Sequence, residues 1–258
     1  MPTSKDCRRL SEPPRRIAVL TDFGAGPYIG QMQLLLSAIA AGVPALSLIA
    51  DLAPFRPDLA GYLLPGLSAG MPTATLYVCV VDPGVGGERG VLAASVGGNW
   101  LIGPDNGLLV PSIRRDAGAH VYRVAWRPTG LSDSFHGRDL FAPLAARLVQ
   151  GELPEATPVS PDDIVGADWP AQLAKVCYVD HFGNLISGLP ASGLDPAINL
   201  SVGGFEVGHA RTFCEVPVGQ PFWYRNAFGL LEIAVNQGRA DRVLGLSPGD
   251  ELPFPQWP

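Results

Sequence analysis

Two short runs place an aspartate directly behind an apolar stretch. Thr21–Asp22–Phe23–Gly24 follows Ile17 to Leu20, and Asp82–Pro83–Gly84–Val85–Gly86 follows Thr75 to Val81. In open α/β sheets the ligand crevice lies outside the carboxyl ends of the strands, where loops diverge and helices begin. Asp22 suits a pair of ribose hydroxyls, because an ionised carboxylate accepts from two donors at once. Read alone, each aspartate serves equally well as an N-cap or turn residue; together they favour a site. Neither run is a phosphate loop. TDFGAGPYIG fails the GxGxxG pattern, and the glycines at 84, 86 and 87 lack the Lys and Ser/Thr of a Walker loop.

Ser134–Phe135–His136–Gly137–Arg138–Asp139 precedes a helical stretch from Leu140 to Gln150. A lone histidine before a helix is usually a cap or a surface residue, and Asp139 reads as the N-cap, with Arg138 paired to a carboxylate. What raises His136 is the company of Arg89 and Asp82. His120, His181 and His209 have no matching set, and no HExxH-like spacing occurs, so no metal is expected. In the second half, Asp180–His181–Phe182–Gly183–Asn184 ends an apolar run, and Asn226–Ala227–Phe228–Gly229 precedes Leu230 to Asn236, which includes Glu232. These read as turns of a β domain, yet asparagine also offers donor and acceptor together to an adenine edge.

Elements must hold these groups in place. Tyr28 to Ala41 puts Ile29, Met32, Leu36 and Ile39 on one helical face and stops at Gly42. Strands are expected at Ile17 to Leu20, Ala45 to Ala50 and Thr75 to Val81, with a hairpin at Gly97–Gly98–Asn99; Pro65 should break or kink a helix from Pro57 to Ala69. This alternation argues for an α/β domain over residues 17–150, its largely parallel sheet flanked by helices. Residues 1–16 read as a loose tail rather than a secretory signal, and the proline-rich residues 151–172 as a linker. Short runs at Lys175 to Val179, Leu200 to Val207, Phe222 to Tyr224 and Leu230 to Val235 give residues 173–258 the rhythm of an antiparallel β-barrel-like domain.

Of the 258 residues, 47% are hydrophobic, enough for a sizeable core, but no run approaches the roughly 18 apolar residues that span a bilayer. Net charge is −6 with no basic cluster beyond the tail, so neither nucleic acid nor membrane is an expected partner. Cys79 and Cys177 lie in apolar runs, which suits reduced thiols in a cytoplasm.

The runs IAVLTDFGAGPYIGQM, VVDPGVGGERG, PDNGLL, SFHGRDLFAP, DHFGNL and NAFGLLEIAVNQG stand in this order between Ile17 and Leu252. The pattern resembles the S-adenosylmethionine hydroxide adenosyltransferases, relatives of the fluorinase and chlorinase that attack the same substrate with halide. The resemblance implies an N-terminal α/β domain, a C-terminal β-barrel-like domain, and a homotrimer with each site built between subunits. It places a water-activating trio on Asp82, Arg89 and His136, with Asp82 also a substrate contact, the ribose contact on Asp22 and the adenine contact on Asn184. Further substrate contacts fall on Asp180, Asn226, Ala227, Phe228 and Glu232. Three departures stand out: a shorter loop after TDFG without its usual acidic residue, Ala227 for serine, and Ser187–Gly188 for Thr-Asn.

The implied chemistry is coherent. The sulfonium already makes methionine a good leaving group, so the obstacle is the nucleophile, since bulk water has a pKa of about 15.7. Arg89 stays protonated and can only stabilise developing hydroxide, while His136 is the expected proton acceptor and Asp82 orients it or holds the water. No cofactor is required. A 5′-halogenase would not need the trio, and a non-catalytic adenosine binder would have no use for His136 beside Arg89.

Overall fold

The computed structural model describes residues 7–253. They divide into two compact units, one of residues up to 61 together with 70–169, the other of residues 62–69 together with those from 170 onward.

The first unit contains β1 (Arg8–Arg9), β2 (Arg16–Thr21), α1 (Pro27–Ile39), β3 (Ala45–Ile49) and the start of α2 (Pro57–Ser68). It continues with β4 (Thr75–Val80), β5 (Val91–Val96), β6 (Asn99–Pro104), α3 (Val110–Ile113), β7 (His120–Val124), α4 (Ala142–Val149), β8 (Glu152–Leu153) and β9 (Ala156–Val159). Seven strands form one sheet in the order β3-β2-β4-β6-β5-β7-β9. Pairings from β3 to β6 are parallel and those from β6 to β9 antiparallel, so the sheet is mixed rather than largely parallel. The cause is the hairpin: Gly97 and Gly98, at φ 56° and 75°, make a two-residue turn, and such a turn joins only antiparallel neighbours.

β4 is buried along its whole length, as an apolar strand covered on both faces should be. Helix α1 starts on Pro27, whose missing N–H costs nothing in a first turn, and buries Ile29, Met32 and Leu36 against the sheet. Pro65 does not end α2; the helix runs through it to Ser68, although Pro65 has no N–H to offer the preceding turn. The expected loose tail is tied down where it is described, since Arg8 and Arg9 pair with Leu153 and Glu152, while its first six residues lie outside the described residues. Part of the expected linker is also structured: β9 adds to β7 at the sheet edge, where Pro158 is tolerated because one side of an edge strand needs no ladder donor.

The second unit contains β10 (Leu173–Val179), β11 (Leu185–Pro190), β12 (Leu200–Val202), β13 (Phe205–His209), β14 (Pro221–Arg225), β15 (Leu230–Val235) and α5 (Ala240–Leu244). Its six-stranded sheet runs β10-β11-β15-β14-β13-β12, antiparallel except for the parallel β13–β14 pair, and register shifts along β11 curl it. The sequence did not announce β11. Its Ser187 is fully buried, donating to the Leu231 carbonyl at 2.8 Å and accepting from Leu189 N–H, and a Cβ on Gly188 would lie 2.8 Å from Leu173 Cβ. The Ser187–Gly188 departure is thereby a packing solution between β10 and β15. Each unit has its own apolar core.

Two leucines of α1 test this packing. Leu36 is fully buried and Leu34 is 73% exposed. Leu36→Ala should cost about 2–5 kcal/mol, and Leu34→Ala no more than about 0.5 kcal/mol, in denaturant unfolding. Equal losses would mean that α1 does not dock on the face described.

Candidate active site

The parallel pairing of β2 with β4 sets Thr21 opposite Val80. Both chains therefore leave the sheet at the same edge, and Asp22 and Asp82 open onto one cavity of about 270 Å³. Phe23, Tyr28 and Phe135 form an aromatic wall, with ring centroids 5.2 Å apart for Tyr28–Phe135 and 5.8 Å for Phe23–Phe135. Phe55 lines it as well, at φ 63°, a backbone state uncommon outside glycine, and its N–H donates to Asp22 Oδ2 at 3.0 Å. No sequence signal marks a non-glycine residue for that conformation, so Phe55 escaped the sequence analysis. Burial pushes the Asp22 carboxyl above its ordinary range, and the nearby Asp82 charge adds to the rise.

Arg89 returns from the loop after Asp82 to meet it. Its Nε lies 3.1 and 2.9 Å from Asp82 Oδ1 and Oδ2, and its Nη2 lies 2.5 Å from Oδ2. The side chains are only 10% and 4% exposed, and the guanidinium stands over the Phe141 ring at 5.7 Å. Nη2 also lies 2.7 Å from His136 Nδ1. Guanidinium nitrogens only donate, so Nδ1 accepts. Burial lowers the His136 pKa, with Arg89 and Arg127 acting in the same direction and Asp82 and the Ser132 carbonyl against it. His136 is held just before a π-helical turn, Gly137–Phe141, that leads into the buried face of α4. Gly137 is required there: a Cβ would meet the Phe23 ring at 2.8 Å. Asp139 is not the expected N-cap; it lies inside that turn and takes Arg138 at 2.6 and 2.8 Å.

The second unit gathers the other predicted residues. Asp180 accepts from Asn184 N–H at 2.8 Å and from its Nδ2 at 3.0 Å, across the turn that Gly183 makes at φ 87°. Glu232 accepts from the Tyr224 hydroxyl at 2.5 Å and from Asn226 Nδ2 at 2.9 Å. Burial raises the Glu232 pKa, helped by the Asp180 charge and opposed by hydrogen bonds from Tyr224, Asn226 and Asn184. Tyr224 was missed because its meeting with Glu232 depends on the β14–β15 register, which the sequence does not display. Asn226 Oδ1 is fully used by the N–H groups of Phe228 and Leu230, both at 2.9 Å, so this side chain shapes the turn and holds Glu232. Ala227 and Phe228 are exposed on that turn. One atom stands out: Asn184 Oδ1 is buried with no hydrogen-bond partner, a deficit that costs roughly 1–3 kcal/mol until a donor arrives.

Of the remaining histidines, His120 begins β7 and His209 packs on Trp223, while His181 lies within the Asp180–Asn184 turn itself, its ring edge-on to Phe182. Among the described residues no three His, Cys, Asp or Glu side chains form a group that could hold a metal.

Comparison with known proteins places this geometry. The model of the SAM hydroxide adenosyltransferase N-terminal domain matches residues 17–157, and that of the C-terminal domain matches residues 174–253. A Thermus thermophilus protein named (R)-S-adenosyl-L-methionine hydrolase is 36% identical over 91% of this chain and 97% of its own length. A Salinispora arenicola protein of the same name is 38% identical over 69% of this chain and 74% of its own. An uncharacterized conserved protein from Thermotoga maritima superposes with TM-score 0.81 at 28% identity, covering 92% of this chain and 98% of the other.

The buried ion pair makes a stability prediction. Arg89→Met leaves the Asp82 carboxylate without its partner and should cost about 3–5 kcal/mol. Adding Asp82→Asn should recover a clear part of that loss in urea unfolding. A double variant as unstable as the sum of the two single variants would show that the pair is not coupled.

Proposed function

Since the chain belongs to the S-adenosylmethionine hydroxide adenosyltransferase family, we propose that it hydrolyses S-adenosyl-L-methionine to adenosine and L-methionine, with water attacking C5′. The observation that carries this reading is the buried Asp82–Arg89–His136 chain, opening on the cavity that Asp22 shares. Asp22 takes the ribose hydroxyls. The free acceptor of Asn184 suits the exocyclic amine of adenine, with Asp180, Phe228 and the Glu232 network around it. Ala227 contributes backbone only.

The substrate is a sulfonium cation, and the attacking oxygen must gain nucleophilicity without an acid on the leaving group. Arg89 supplies fixed positive charge beside the water, and because its side chain is nearly buried, that charge is worth more than it would be in bulk solvent. The reaction consumes only substrate and water, and no cofactor takes part.

The protein works in the cytoplasm as a homotrimer, each site combining the first domain of one subunit with the second domain of its neighbour. Free thiols at all four cysteines support the compartment, and among the described residues no helix is long and apolar enough to cross a membrane. Support for association comes from apolar side chains left exposed, among them Leu46 at 65% on the edge strand β3.

Incubation with S-adenosylmethionine should release adenosine and methionine in equal amounts, unchanged by chelators. In water enriched in heavy oxygen the label should appear on the adenosine 5′-oxygen. A 5′-chloro product growing with salt would replace this reading by a halogenase. The relatives are named for the (R) sulfonium epimer, so the two epimers are to be offered separately.

Assembly is tested by mixing Asp22→Ala chains with Asn184→Ala chains. Neither should be active alone, and exchanged trimers should regain part of the activity, because some interfaces then hold an intact pair. Silence in verified mixed trimers would place both contacts within one chain.

A further inference from the structure

We infer that His136 acts as the neutral Nε2–H tautomer, a positioning residue that fixes Arg89 through its Nδ1 lone pair, and that Asp82 receives the proton of the attacking water. The proton-transfer half rests on the hydrolase reading; the tautomer rests on geometry alone.

Arg89 Nη2 has two hydrogens. One goes to Asp82 Oδ2 at 2.5 Å and the other to His136 Nδ1 at 2.7 Å. A guanidinium stays protonated, so nothing on Arg89 can accept a proton from Nδ1. Protonating Nδ1 would set two donors face to face at that distance, and the ring could take a proton only by parting from Arg89. Nε2 already carries the hydrogen in this tautomer. Neither ring nitrogen therefore offers a lone pair to water, contrary to the expectation of a histidine base.

The charged groups facing the ring agree. Arg89 and Arg127 oppose an imidazolium and so does burial, while Asp82 favours it; the balance holds the ring neutral. Arg127 is fixed for this by its own bonds to the Val124 and Trp126 carbonyls, both at 2.9 Å. Asp82 has capacity to spare. Its carboxylate lines the cavity and meets Arg89 through three contacts, only one of them on Oδ1, against about four acceptor positions on the group.

A lone pair of the water oxygen bonds to C5′, and the C5′–S pair moves onto sulfur, leaving methionine as a neutral thioether. One water proton passes to Asp82 and then to solvent; the other stays on the 5′-hydroxyl of adenosine.

Two measurements on the full-length protein decide the matter. Nitrogen NMR on histidine-labelled protein should show His136 Nδ1 unprotonated and Nε2 protonated at neutral pH. Single-turnover rates should separate two variants: His136→Asn keeps an acceptor for Arg89 but no base, and should exceed His136→Ala by roughly tenfold or more, the worth of one charge-assisted hydrogen bond. Asp82→Asn, which also keeps an acceptor for Arg89, should fall by about 10²–10⁴. A protonated Nδ1, equal losses in the two His136 variants, or near wild-type turnover by Asp82→Asn would each overturn the inference. If the wild type released no adenosine, the hydrolase reading would fail, and with it the proton-transfer half, while NMR would still decide the tautomer.

Discussion

A buried guanidinium cannot shed its charge, and the first unit is arranged around that constraint. Arg89 is nearly enclosed, so its donors must be met by protein groups. Asp82 neutralises the charge, His136 accepts one further hydrogen, and Phe141 offers its ring face. These partners come from the end of β4 and from the turn before α4. Their meeting depends on the sheet and on the helix docking together, and Gly137 lets the turn close against Phe23.

The sheet supplies the other half of the arrangement. Parallel neighbours β2 and β4 deliver two carboxylates to one edge, and burial, with the Asp82 charge beside it, makes Asp22 harder to ionise. Arg89 is committed to Asp82, which leaves Asp22 under its backbone bond from Phe55 and with burial unrelieved. Two like residues thus acquire different work from their surroundings. Asp82 belongs to the charged chain with Arg89 and His136, and Asp22 lines the same cavity with no cation beside it among the contacts described.

The second unit solves a different problem, with amides and carboxylates in place of a cation. Asn184, Asp180, Asn226, Tyr224 and Glu232 satisfy one another almost completely, across two turns and a strand pair. A network so closely saturated makes its single unmet acceptor, Asn184 Oδ1, a selective one, because a partner without an N–H or O–H would leave that cost standing. The exposed turn of Ala227 and Phe228 is held by Asn226 and packs closely on α2, where a Cβ on Gly66 would lie 3.0 Å from the Phe228 carbonyl oxygen.

Local pattern was enough for some of this. The apolar spacing of Ile29, Met32 and Leu36, the continuous run of β4, the Gly97–Gly98 turn and the two aspartates behind strands are all set by neighbours a few residues apart, and they appear where the sequence put them. The order of the motifs also identified the family. What depends on distant partners was not legible. The direction of β7 and β9, the addition of residues 156–159 to the sheet, and β11 with its buried Ser187 follow from strand neighbours chosen in three dimensions. The same holds for the site. The sequence named Asp82, Arg89 and His136 as a set, but only the tertiary structure decided which imidazole nitrogen meets the guanidinium. That choice fixes whether His136 offers a lone pair or a proton, because a ring nitrogen facing an obligate donor must accept.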